Sequence, residues 1–112
     1  MMPADKRRFP RLRIHVPVRY QVRGASEFSN VLSDNISLNG LGFIHDRFIP
    51  PATKIMLEIN VLLNILNPTG RVAWSAPLPH SDRYLSGVEF LEMPLEQKRY
   101  LEDFIGMQAI KA

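Results

Sequence analysis

Residues 13–23 read "RIHVPVRYQVR", and apolar and polar side chains alternate strictly along them. The apolar residues at the even positions from 14 to 22 fall on one side of an extended chain. A period of two over this length predicts a β-strand with one buried face. Pro17 has no backbone N–H to offer a neighbouring strand, so we predict an edge strand or a bulge at this residue.

The rest of the chain reads as a succession of short strands and turns. Further strands are predicted at residues 28–37, 41–48, 54–60, 71–76 and 83–92, with turn-forming sequences between them. Residues 61–67, "VLLNILN", fit a strand or a short helix equally well. Asn39-Gly40 lies between the second and third strands. We predict a type I′ hairpin turn there, because that turn needs positive φ at both central residues.

The period of the apolar residues changes at the end of the chain. From Pro94 onward, Leu95, Leu101, Phe104 and Ile105 fall at helical spacing. Pro94 suits the first turn of a helix, and we predict an amphipathic helix over about residues 94–109. Six strands followed by one helix predict a small six-stranded antiparallel β-barrel that a C-terminal helix closes, since closure removes exposed strand edges. At 112 residues the chain is long enough for one such domain.

The net charge of +3 hides an uneven distribution. Residues 1–23 hold seven Arg or Lys and one Asp, so their charge is 7 − 1 = +6. The remainder holds seven Arg or Lys and ten Asp or Glu, which gives 7 − 10 = −3. Proteins that coat nucleic acid usually spread their cations over a broad face. A cluster at one end of the chain instead favours either a compact anionic partner or a solvent-exposed basic tail with no partner.

Composition and motifs argue against several classes of function. The chain has no cysteine and no apolar run near the ~20 residues of a membrane-spanning helix, and we expect a cytoplasmic protein. His15, His45 and His80 make no metal-ligand spacing, and no nucleophile or phosphate-loop motif is present. We therefore expect no enzyme activity, no metal and no catalytic residue.

The basic arm is the first candidate for a binding function. It reads Arg7-Arg8-Phe9-Pro10-Arg11, and Pro10 biases the residue before it toward extended backbone. A guanidinium can donate two parallel hydrogen bonds to a phosphate or a guanine edge, and it can stack on a base. Taken alone, the arm is more typical of a solvated basic tail.

The second candidate is the end of the second predicted strand. Asn35 and Ser37 are two residues apart, so both project from one face of a regular strand, whereas Asp34 points to the other face. Asn35 offers a carbonyl acceptor and Ser37 a hydroxyl. Gly40 allows either a tight turn or the close approach of a ligand. Taken alone, these residues also fit an ordinary hairpin.

Together, the two candidates resemble the PilZ domain family. That family carries an Arg-x-x-x-Arg element before its first strand and an Asp/Asn-x-Ser-x-x-Gly element downstream. Here these elements are Arg7-x-x-x-Arg11 and Asn35-x-Ser37-x-x-Gly40. The "GRVAW" strand, the "GVEF" strand and the closing helix are further likenesses, and the resemblance covers roughly residues 5–106.

The resemblance implies a six-stranded barrel with a C-terminal helix that binds cyclic di-GMP and needs no other cofactor. Arg7 and Arg11 would hold the guanine edges and phosphates of the ligand, and Arg8 would assist them. The other site residues are assigned as follows: Asn35 and Ser37 would bond to a guanine, and Gly40 would shape the loop. Trp74 either lies close to the ligand, by family likeness, or is a buried core residue.

The domain organisation and the partners follow from the same resemblance. We expect residues 1–12 to form a flexible basic arm and residues 13–112 to form the barrel domain with its helix. Ligand binding would order the arm and regulate an unidentified effector protein in motility, biofilm formation or exopolysaccharide production. The oligomeric state, monomer or dimer, stays open. The first alternative is a PilZ-like interaction module that does not use cyclic di-GMP. A small barrel that binds nucleic acid is a less favoured alternative, and we expect no nucleic-acid partner.

Overall fold

Seven strands and one helix make up the computed structural model, which describes residues 11–111, with side chains described through Gln108. The elements are β1 (Pro17–Val22), β2 (Ser29–Ser37), β3 (Gly40–His45), β4 (Lys54–Val61), β5 (Asn64–Leu66), β6 (Thr69–Pro77), β7 (Tyr84–Glu92) and α1 (Leu95–Lys111). Arg7 and Arg8, which are predicted to bind the ligand, lie outside the described part of the chain.

Six of the strands close an antiparallel barrel in the order β1-β2-β3-β7-β6-β4, and β1 also pairs with β4. The predicted six-stranded barrel with a C-terminal helix is therefore confirmed. β5 is the additional strand, and it pairs with β4 to form a short hairpin over the stretch that the sequence left ambiguous. Because the sheet closes on itself, each of the six barrel strands has a partner on both sides.

The first strand begins later than the alternation predicts. Pro17 is the first residue of β1, where it pairs with Leu32, and β4 joins β1 only from Val18 onward. Pro17 therefore has a partner strand on one side only, as the predicted edge position requires, and its missing N–H costs no bond. From Val18 onward β1 is paired on both sides and is not an edge strand. Before Pro17, the Ser33 hydroxyl accepts from the Val16 N–H at 2.9 Å and donates to the Ile14 carbonyl at 2.6 Å.

Three irregularities interrupt the strand pairing of the described barrel, and two of them are β-bulges that set which side chains face outward around the β3–β7 pair. In β2 the pairing with β3 shifts between Ser33 and Asn35, and in β6 the pairing with β7 shifts between Val72 and Trp74. Each bulge adds one residue to its strand, so two consecutive side chains face away from the core. The two bulges lie on the strands that flank the central β3–β7 pair.

The turn between β2 and β3 differs from the predicted one. Its two-residue loop is Leu38-Asn39, and Gly40 is already the first residue of β3, paired with Ser37. Neither Asn39 nor Gly40 has positive φ, so the predicted type I′ turn is wrong. Glycine is needed at position 40 for another reason, since a side chain there would collide with the carbonyl oxygen of Val88 on β7.

The helix packs over one end of the barrel. Leu101, Phe104 and Ile105 are buried in the same core as Val61 and Leu66, and the amphipathic pattern of α1 is confirmed at these positions. Leu95, by contrast, is 63% exposed. The first turn of α1 is held instead by polar contacts with the β5–β6 connection, where Gln97 and Asn67 exchange hydrogen bonds.

A buried polar pair lies elsewhere in the barrel interior. The Tyr20 hydroxyl is 2.8 Å from Nδ1 of His45, and the Tyr20 ring stacks on Phe43 with the centroids 5.0 Å apart. Burial lowers the pKa of His45 from its ordinary value, against the opposing effect of the Asp46 carboxylate.

In the described part of the chain, no helix is long and apolar enough to cross a membrane.

Candidate ligand-binding face

One cross-strand row organises the outer surface of the barrel around the β3–β7 pair. Asn35 on β2 pairs with Gly42 on β3, Gly42 pairs with Gly87 on β7, and Gly87 pairs with Trp74 on β6. The neighbours of the two glycines along their strands, among them Phe43 and Val88, are buried in the core. The glycines therefore face outward, and we call this row, from Asn35 to Trp74, the Asn–Trp row.

The glycines leave room for the side chains of the two end residues of the row to approach the backbone closely. A side chain at Gly42 would come within 2.8 Å of Nδ2 of Asn35, and one at Gly87 would lie 2.5 Å from Cε2 of Trp74. The indole thus covers Gly87, and Trp74 stays 46% exposed. The exposed part of the ring forms an aromatic shelf on which a planar ring can stack.

Trp74 is therefore not a core residue, and the interpretation of it as one is wrong. Val72 points into the core, so regular alternation would turn Trp74 inward as well. The extra residue at the bulge reverses that phase and turns the indole outward.

Asn35 uses both ends of its amide. Its Oδ1 accepts from Nη1 of Arg11 at 2.6 Å, and its Nδ2 donates to Oδ2 of Asp34 at 3.0 Å. Asp34 in turn forms an ion pair with Arg13 at 3.6 Å. The prediction that Asp34 points away from Asn35 is wrong, because the β2 bulge brings the two side chains together. A carboxylate in place of Asn35 would lose the donor toward Asp34 and repel it.

Ser37 and Gly40 form the base of the motif hairpin. Ser37 is fully buried, and its hydroxyl donates to Oδ1 of Asn39 at 2.7 Å. Gly40 permits the close approach of β3 to β7, and the Asn39 carbonyl next to it accepts from the Phe90 N–H at 2.9 Å. Both residues fix the hairpin that carries Asn35, and neither exposes a side chain on the Asn–Trp row.

Arg11 is the one residue of the basic motif that the structure describes. Leu12 forms an isolated antiparallel bridge with Ile36, with both backbone hydrogen bonds at 2.9 Å. This bridge anchors the chain beside β2, so Arg11 reaches the amide of Asn35. The two sequence motifs therefore meet in space at the Arg11–Asn35 hydrogen bond. The contributions of Arg7 and Arg8 stay predictions.

A second row of residues runs beside the first, and the sequence alone did not indicate it. Gly40 pairs with Glu89 on β7, and Glu89 pairs with Arg71 on β6. Arg71 donates to Oε1 of Glu89 from Nε at 3.1 Å and from Nη2 at 2.5 Å. Arg71 and Glu89 lie in the "GRVAW" and "GVEF" stretches, both of which the sequence predicts to be strands. The sequence does not specify the register between these two strands, which is what places the two side chains opposite each other.

The described residues contain no group of His, Asp and Glu side chains arranged to hold a metal ion. A separate groove lies between β2 and β3, with His15, Asp34, Asp46 and Arg83 in its lining. Its lining holds two carboxylates and one guanidinium, so the groove suits an anion poorly. The Asn–Trp row, with Arg11 at one end, is the better candidate for an anionic aromatic ligand.

Comparison with known protein families identifies the chain. A family model described as "PilZ domain" matches residues 5–106. The chain belongs to the PilZ domain family. The match spans both sequence motifs, all seven strands and most of α1, so the predicted family membership is confirmed for nearly the whole PilZ domain.

Solved structures share this PilZ fold at low sequence identity. The inhibitor of motility MotI/DgrA of Bacillus subtilis matches with a TM-score of 0.81 at 20% identity, over 95% of this chain and 53% of that one. The PilZ domain of Escherichia coli YcgR, solved with c-di-GMP, matches with a TM-score of 0.70 at 14% identity, over 95% and 93% of the two chains. The K. pneumonia MrkH–c-di-GMP complex matches with a TM-score of 0.67 at 18% identity, over 95% and 53%.

At these sequence identities the likenesses establish the fold alone. This chain spans about half the length of MotI/DgrA and of MrkH. A comparison with functionally curated proteins found no match.

Proposed function

We propose that this PilZ domain binds cyclic di-GMP on the outer face of the barrel, along the Asn–Trp row. The observation that carries the proposal is the hydrogen bond from Arg11 to Asn35, which joins the two sequence motifs on the face that also holds the Trp74 shelf. Two of the similar PilZ structures, those of YcgR and MrkH, were solved with c-di-GMP.

The chemistry of the ligand matches this face. Cyclic di-GMP carries two phosphate charges and two guanines, so it needs cations, a stacking surface and acceptors for guanine N–H groups. Arg11, with Arg7 and Arg8 as predicted partners, supplies the cations. Trp74 supplies the stacking surface, and Asn35 supplies an acceptor, since its carbonyl oxygen has a second lone pair besides the one that faces Arg11.

Ser37 and Gly40 act in this proposal through the hairpin rather than through direct contact. The buried Ser37 hydroxyl and the close β3–β7 approach at Gly40 set the position of Asn35. The sequence motif is then partly a ligand-contacting motif and partly a structural one.

The consequence of binding is a switch. Neutralising the +6 cluster of residues 1–23 would let the arm settle across the barrel face and present a new surface to an effector protein. Motility, biofilm formation and exopolysaccharide production are the outputs that the family resemblance suggests. The regulated partner in this proposal is a separate effector protein that recognises the surface formed on binding.

Calorimetric titration with cyclic di-GMP tests the proposal. Wild-type protein should bind, and Arg11→Ala should weaken binding by roughly tenfold or more, since it removes charge-assisted hydrogen bonds. Arg19→Ala is the matched control, because Arg19 lies on β1 and pairs with Glu58, away from the Asn–Trp row. Absence of binding by the wild-type protein would refute the proposed function. Undiminished affinity in the Arg7→Ala/Arg11→Ala double variant would show that the basic arm is not part of the binding site.

A further inference from the structure

The Arg71–Glu89 pair borders the aromatic shelf. Glu89 lies two residues after Gly87 on β7, so both face outward and are separated by roughly 7 Å along the strand. The Trp74 indole covers Gly87, and Arg71 precedes Trp74 on β6. A carboxylate and a guanidinium therefore stand at the edge of the surface on which a base would stack.

We propose that Glu89 reads the Watson–Crick edge of the guanine that stacks on Trp74, and that Arg71 positions the carboxylate for it. This inference rests on the proposed binding of cyclic di-GMP at the same face. It adds a second base-reading group, on β7, to the Asn35 group on β2.

The chemistry of guanine favours a carboxylate at this position. The Watson–Crick edge of guanine carries two adjacent donors, the N1–H and the 2-amino group, and a carboxylate can accept from both. Adenine presents one donor and one acceptor on the same edge, so a carboxylate discriminates against it. Asn35 cannot make this double contact, because it has a single carbonyl oxygen that already accepts from Arg11.

Arg71 holds the carboxylate without consuming all of its acceptors. Both hydrogen bonds from Arg71 go to Oε1, and none of the described residues donates a hydrogen bond to Oε2. The guanidinium also offsets the negative charge of Glu89, which would otherwise repel a ligand with two phosphates. Arg71 is accordingly a positioning residue in this site.

The exposure of the pair makes its substitution a clean test, because the fold depends little on it. The side chains of Arg71 and Glu89 are 45% and 49% exposed, and ion pairs at such exposure contribute little to stability. A second cross-strand pair, Arg19–Glu58, has side chains 47% and 41% exposed and lies between β1 and β4. Glu58→Gln is therefore a matched control for Glu89→Gln.

The experiment compares cyclic di-GMP with cyclic di-IMP, whose bases lack the 2-amino group, by calorimetry on the wild-type protein and the variants. Glu89→Gln should weaken cyclic di-GMP binding by roughly tenfold or more. It should also reduce the preference for cyclic di-GMP over cyclic di-IMP by a similar factor. Arg71→Gln should reduce the same preference, whereas Glu58→Gln should leave affinity and preference unchanged.

The outcomes separate this inference from the function on which it rests. If the wild-type protein binds cyclic di-GMP and Glu89→Gln keeps both its affinity and its preference, Glu89 does not read the base and the proposed function stands. If the wild-type protein does not bind cyclic di-GMP, the proposed function fails and this inference fails with it. An equal loss of preference in Glu58→Gln would also overturn the assignment to Glu89.

Discussion

A single buried histidine gives the fold a defined response to acid. His45 is 7% exposed and hydrogen-bonded to the Tyr20 hydroxyl, and its surroundings include Asp46, Arg47 and Arg83. Because burial lowers the pKa of His45, the unfolded chain takes up a proton at a higher pH than the folded chain does. The resulting stability is present above the unfolded pKa of about 6.5 and is lost as the pH falls below it.

We therefore expect the free energy of unfolding to fall between pH 7 and pH 5, with His45 contributing at most about 1.4 kcal/mol per pH unit. His45→Gln should be less stable at pH 7 but should show a shallower decline. Urea unfolding at several pH values measures both slopes, with the exposed His80→Asn as the control. Equal slopes in the wild-type protein and His45→Gln would show that His45 does not set the response.

At the scale of the elements, the glycine positions and the bulges determine the site. Gly87→Ala should destabilise the fold by about 1–3 kcal/mol, since the new methyl group would overlap the Trp74 indole. In a Trp74→Ala background the same substitution should cost much less, because the overlapping ring is gone. Chemical denaturation of the four proteins in this cycle measures the coupling.

Gly40→Ala supplies the contrasting case. Its methyl group would overlap a backbone carbonyl of β7, so Trp74→Ala should not relieve its cost. Equal costs for Gly87→Ala with and without the indole would contradict the view that the Trp74 indole covers Gly87.

The β4–β5 hairpin contains a residue in an unfavourable backbone conformation. Leu62 has φ of 55°, in a two-residue loop that joins the paired residues Val61 and Asn64. Because non-glycine residues rarely adopt positive φ, Leu62→Gly should raise the free energy of unfolding by roughly 0.5–1 kcal/mol. Leu63→Gly, at a position without positive φ, should lower it. Thermal unfolding of the wild-type protein and both variants measures these changes in stability. A loss of stability in both variants would contradict the assignment of strain to Leu62.

The same elements show how far the sequence predicts this protein. Alternation, turn residues and the change to helical period predict the six barrel strands and α1, because each reflects a local pattern of burial. Alternation fails at Asp34 and Trp74, since a bulge adds one residue without leaving a recognisable pattern in the chain. The Arg71–Glu89 pair depends on the register of β6 and β7, which hydrophobic periodicity does not specify.

At the scale of the whole molecule, a closed barrel presents one continuous face where two distant segments of the chain meet. The Leu12–Ile36 bridge brings the end of the basic segment to β2, while the β3–β7 pair carries the face across to Trp74 on β6. The division into an arm of residues 1–12 and a barrel domain of residues 13–112 stays a prediction. A ligand that spans this face would contact both the basic arm and the barrel domain.

The fluorescence of Trp74 tests the central claim most directly, because Trp74 is the only tryptophan in the chain. If cyclic di-GMP stacks on the shelf, titration should change the emission in a saturable way, with the same midpoint that calorimetry gives. Arg11→Ala should move both midpoints together to higher ligand concentration. Saturable heat of binding with no change in tryptophan emission would place the ligand elsewhere and contradict the account.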